Sequence, residues 1–145
     1  MSVNKRKKRV LFLCTHNSCR SQMAEGLANH FLSDRIEAFS AGTEATRVNP
    51  LAAKVMAEID IDLCGHRSKI LDEFAGEDFD YVITLCGDAF EKCPLFFGGV
   101  ERLHIGFDDP SRLSGSEAEV LPEYRRVRDE IRRTMKDFFE KELSP

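Results

Sequence analysis

Short apolar runs alternate with amphipathic stretches along the chain. Arg9–Cys14 (RVLFLC) is almost wholly apolar and reads as a strand buried on both faces. Gln22–Leu32 follows, with Met23, Leu27, His30 and Phe31 at helical spacing. Arg35–Ala41, closed by Gly42, predicts a second strand. Pro50 suits a first helical turn and opens a helix to about Ile59. Asp80–Cys86 (DYVITLC) reads as a third buried strand and Val100–Ile105 as a shorter fourth. From Pro122 to Leu143, Tyr124, Val127, Ile131, Met135 and Phe138 recur every three or four residues among charged positions, which predicts a long amphipathic helix. Strands separated by helices imply an α/β fold: one four-stranded parallel sheet flanked by helices. Ligands of such sheets bind beyond the carboxyl ends of the strands. Cys14 and Cys86 both end strands, so both are expected on that rim.

At 145 residues the chain holds one ordinary domain, expected over residues 9–145 behind a flexible basic arm of residues 1–8. The longest apolar run, Val10–Cys14, has five residues, so no bilayer span is expected, and no apolar segment of a secretory signal follows the N-terminal charges. The net charge is −4, and the first nine residues carry five bases and no acid, so the remainder is close to −9. A basic body for nucleic acid is absent, and a monomer is expected. Five cysteines, an odd number, in a chain long enough to build a core point to a reducing compartment, the cytoplasm, with thiols kept for chemistry.

The chemistry concentrates in Cys14-Thr15-His16-Asn17-Ser18-Cys19-Arg20-Ser21, between a strand and a helix. Backbone N–H groups there can curl around an anion at the helix N-terminus. The planar fork of Arg20 suits two oxygens of a tetrahedral oxyanion. The same field favours a nucleophilic thiolate at Cys14, to which Ser21 can donate. Asn17 tolerates the left-handed conformation such a turn needs. Asp108-Asp109-Pro110 lies in a loop after the fourth strand, where a proton donor is needed to expel a leaving oxygen. A zinc site on Cys64, Cys86, Cys93 and His104 lacks the usual ligand spacing, and no metal or other cofactor is expected.

Val10–Gly26 (VLFLCTHNSCRSQMAEG) resembles the start of the thioredoxin-coupled arsenate reductases, which share the fold of the low-molecular-weight protein tyrosine phosphatases. Phe39–Gly42 (FSAG), Ile83–Cys86 (ITLC), Cys93-Pro94 and Gly106–Pro110 (GFDDP) extend the resemblance from about Arg9 to Leu143. It implies an oxyanion loop of Thr15, His16, Asn17, Ser18, Cys19 and Arg20, with Cys14 as nucleophile and Asp109 as general acid. It further implies a three-thiol relay, Cys14 to Cys86 to Cys93, that leaves a Cys86–Cys93 disulfide for thioredoxin; glutaredoxin or a small thiol remains open as donor. A phosphatase of this fold does not need the second and third thiols. The rival readings are a tyrosine phosphatase and a non-catalytic oxyanion-binding or thiol-sensing module. A regular helix across Gly87–Cys93 would hold the Cα atoms of residues 86 and 93 about 10 Å apart along its axis, whereas a disulfide needs about 7 Å. Gly87–Gly99 is therefore expected to refold between reduced and oxidised forms. Cys19 and Cys64 are assigned no redox step.

The sequence departs from the family pattern at His16, where a glycine is usual, a position that would be strained if it needs positive φ. Some members bind potassium near the loop. Asn17, Glu25 and Ser40 match that site, but Lys69 stands where an acid would complete it, so no potassium activation is expected.

Overall fold

The computed structural model describes residues 7–87 and 101–143. Four parallel strands, β1 (Lys8–Cys14), β2 (Ile36–Gly42), β3 (Tyr81–Thr84) and β4 (Glu101–His104), form one sheet in the order β2-β1-β3-β4. Among the described residues the α-helices are α1 (Arg20–Phe31), α2 (Pro50–Ala57) and α3 (Glu117–Glu142). No helix of the described residues is long and apolar enough to cross a membrane.

β1 is central and buried from Val10 onward, as its unbroken apolar run requires. Successive side chains leave opposite faces. Val10 and Phe12 enter a core built with α1, α2 and α3, while Leu11 and Leu13 enter a second core with Leu71, Phe74, Phe79 and Val82. The three helices thus share one face. A 3-10 turn at Leu71–Phe74 helps cover the other.

Several boundaries differ from the sequence reading for identifiable reasons. α3 begins five residues before Pro122. Ser116 and Glu119 form a reciprocal capping box that starts the helix upstream, and Pro122 lies in its second turn. The buried stripe of α3 ends on Phe139, fully buried, and not on Phe138, since Ile131, Met135 and Phe139 keep an i, i+4 row. His30 and Phe31 face solvent; Ala24, Ala28 and Leu32 complete the α1 face instead. Phe31 is covered by the Arg132 guanidinium, 4.0 Å from the ring centre. β3 stops at Thr84, opposite Leu13, so Cys86 lies two residues beyond the strand. α2 runs to Ala57, short of Ile59, and its start carries a full cap: Asn49 Oδ1 accepts from the amides of Leu51 and Ala52. Arg128 of α3, almost buried, donates to the carbonyl of Val55 and to Glu58, fastening α3 to the end of α2.

Candidate active site

β1 ends at Cys14 and α1 begins at Arg20, so five residues make the connection. Their carbonyls are taken from outside the loop. The amides of Glu44 and Asn49 donate to Thr15 and Ser18, Ser68 Oγ donates to the His16 carbonyl at 2.7 Å, and Gln22 Nε2 donates to that of Asn17 at 3.1 Å. In a trans peptide the N–H points opposite to the C=O. Carbonyls fixed outward therefore turn amide edges toward the concave side of the loop, the arrangement that favours an anion. Asn17 carries the positive φ of the turn, 49°, and His16 does not, so the substitution at His16 brings no left-handed strain.

The nucleophile candidate is held from the side by hydroxyl and amide. Cys14 Sγ lies 2.8 Å from Ser21 Oγ, and Asn17 Nδ2 donates to that oxygen at 2.8 Å. The hydroxyl proton is then available to a Cys14 thiolate. All three residues are buried. Arg20 donates to the carbonyl of Phe107 at 3.1 Å and pairs with Asp109 Oδ2 at 3.3 Å. Asp109 Oδ1 accepts from the amide and hydroxyl of Ser111 and so caps a short turn at Pro110–Arg112. Asp108 points elsewhere, to Arg126 at 2.9 Å. Cys14, His16, Ser18, Cys19, Arg20, Asp109 and Ser111 line one small cavity.

A broader groove adjoins it, lined among others by Thr15, Arg20, Cys86, Phe107 and Asp109. Thr15 Oγ1 lies 3.3 Å from Cys86 Sγ, which brings the second thiol to the edge of the loop although 72 residues separate it from Cys14. Cys93, and residues 88–100 of the segment expected to refold, lie outside the described residues. Burial pushes the Cys19 thiol up, with Asp109 adding in the same direction, so it packs beneath the loop as a neutral group. Cys64 is exposed, and a hydrogen bond with Asp62 raises its thiol.

The cation cage suggested by Asn17, Glu25 and Ser40 already contains a charge. Lys69 Nζ sits 3.9 Å from Glu25 Oε1 and donates to the carbonyl of Arg67 at 2.9 Å, and Ser40 Oγ donates to Glu25. The side chain of Lys69 is largely buried, and that desolvation lowers its pKa. These residues do not fit a further monovalent cation. Reading residues singly misses three supports of the site: Gln22, the amide of Lys69 on Asn17 Oδ1 at 2.8 Å, and Gly42. Only Gly42, the residue that closes a strand, carries a local signal.

Residues 9–144 match the family described as low molecular weight phosphotyrosine protein phosphatase. The chain belongs to this family. Its curated relatives include the arsenate reductase of Bacillus subtilis, 50% identical over 133 residues that cover 92% of this chain and 96% of the relative. Among solved structures, an arsenate reductase in the phosphate-binding state superposes with a TM-score of 0.77 at 34% identity, covering 92% of this chain and 98% of that one. The thioredoxin-dependent arsenate reductase of Corynebacterium glutamicum superposes with a TM-score of 0.67 at 29% identity, covering 99% of this chain and 66% of that one. The family's single-domain parallel-sheet fold is the one found here.

Proposed function

We propose that this chain reduces arsenate to arsenite by a relay through Cys14, Cys86 and Cys93, with thioredoxin as electron donor in the cytoplasm. The observation that carries the proposal is Cys86 beside the oxyanion loop, 3.3 Å from Thr15 Oγ1. Phosphoester hydrolysis has no use for a second thiol there. The relatives named arsenate reductase support the reaction, and the thioredoxin-dependent neighbour supports the donor.

The Cys14 thiolate attacks arsenic while the loop amides and Arg20 hold the oxyanion. Asp109 gives a proton to the departing oxygen, which leaves as water, and an S–As bond remains. Cys86, as thiolate, attacks Cys14 Sγ. The S–As electron pair passes to arsenic, As(V) becomes As(III), and arsenite leaves behind a Cys14–Cys86 disulfide. Cys93 attacks Cys86 Sγ and releases the Cys14 thiolate. Thioredoxin's dithiol then reduces the Cys86–Cys93 disulfide by the same exchange.

Cys86→Ser separates this reading from a phosphatase. Arsenate turnover with thioredoxin, its reductase and NADPH should fall below detection, while Cys14-dependent phosphoester cleavage persists. Mapping half-cystines after one turnover should find residues 86 and 93 joined. Undiminished arsenate turnover in the serine variant, or an unjoined pair, would overturn the relay.

A further inference from the structure

Gln22 takes no step in the reaction above, yet it is completely buried beside the loop. Its Nε2 is within hydrogen-bond reach of three acceptors: the Asn17 carbonyl at 3.1 Å, Asn17 Oδ1 at 3.0 Å and the Arg67 carbonyl at 2.9 Å. Turning the amide over would set its oxygen against all three. Oε1 accordingly faces His66 Nδ1, at 3.0 Å. With Oδ1 facing Gln22 and the amide of Lys69, Asn17 must present Nδ2 to Ser21. A reversed Asn17 would offer Ser21 an acceptor and draw the hydroxyl proton away from Cys14.

We infer that Gln22 is a positioning residue for the Cys14 thiolate: it holds Asn17 in the orientation that keeps the Ser21 proton directed at Sγ. The inference rests on the reading of Cys14 as nucleophile but on no particular substrate. The chain runs Gln22, Asn17, Ser21, Cys14, and each link is between 2.8 and 3.0 Å. The charged and titratable groups around it are Arg20, Cys19 and His16 at the loop, Asp109 after β4 and Cys86 after β3, with His66, Glu25 and Lys69 behind Gln22. A neutral substitution at Gln22 removes none of these charges and, of these groups, takes a direct hydrogen-bond partner only from His66.

Gln22→Met keeps the volume and removes the hydrogen bonds. The measurement is the rate of Cys14 alkylation by iodoacetamide against pH, followed on the Cys14 peptide by mass. The variant's profile should move to higher pH, with alkylation about fivefold slower near neutrality, the effect of roughly one neutral hydrogen bond. The two proteins should converge at high pH, where the thiol is fully ionised. A profile superposing on that of the unaltered protein overturns the inference, as does a lower plateau without displacement, which is what a purely structural role gives. Should Gln22→Met not fold, the unaltered protein supplies the test. The side-chain amide signals of Gln22 and Asn17 should shift together with Cys14 ionisation, and a Gln22 signal that stays still overturns it. Neither measurement uses arsenate or thioredoxin, so failure of the relay and failure of this inference are told apart.

Discussion

Gly42 shows how a single missing side chain can govern the site. It ends β2, pairs with Cys14 across the sheet, and stands against the outer wall of the loop between β1 and α1. A Cβ there would lie 2.6 Å from the carbonyl oxygens of Thr15 and Glu44 and 2.7 Å from the amide nitrogen of Asn17. All three are backbone atoms, so no side chain can swing aside. The φ of Gly42 is not left-handed, and the requirement is one of space. Gly42→Ala should cost about 3 kcal/mol in urea unfolding, the upper range for overpacking. Because relief of the clash must displace Thr15 and Asn17, oxyanion affinity should fall as well. Unchanged stability and inhibition by phosphate would show that the loop has room the structure denies. The glycine is visible in the sequence as the close of a strand. Its collision partners come from segments that only the folded chain assembles, so the reason for it is not.

At the scale of elements, legibility followed the range of the interactions concerned. β1 and the loop after it could be read because burial on both faces and the Cys-to-Arg spacing are local properties. The start of α3 lies upstream of Pro122 because the deciding signal, Ser116 with Glu119, sits in a polar stretch with no apolar period. The support behind the loop was illegible beyond the hint of Lys69, since residues 66–69 reach α1 and β2 only through tertiary folding. There Lys69 acts twice: its amide fixes Asn17 and its ammonium faces Glu25. A potassium ion entering between Glu25 and Asn17 would meet a fixed positive charge within a few ångströms, in surroundings that screen it poorly. Exchanging sodium for potassium at constant ionic strength should therefore leave kcat/KM for arsenate unaltered. A clear rise with potassium would mean that Lys69 leaves the cage in solution.

For the whole molecule, the question raised by an open sheet is what keeps its edges from pairing with another copy. The order β2-β1-β3-β4 leaves β2 and β4 outermost. Exposed parallel edges invite association unless charge or cover prevents it. β4 carries Glu101, Arg102 and His104 exposed around one half-buried leucine, and desolvating that row would cost more than its backbone bonds return. β2 exposes Glu37, and its last residue is already bridged by Ile70 of the same chain. Of the large apolar side chains left exposed among the described residues, Phe31 lies beneath the Arg132 guanidinium, leaving Ile70 and Leu113. A net charge of −4 adds repulsion between copies. Sedimentation equilibrium should accordingly give a monomer of 16.5 kDa at low and at moderate salt. A dimer that dissociates when Glu101 is made lysine would locate the edge of β4 as the contact and overturn the argument from charge.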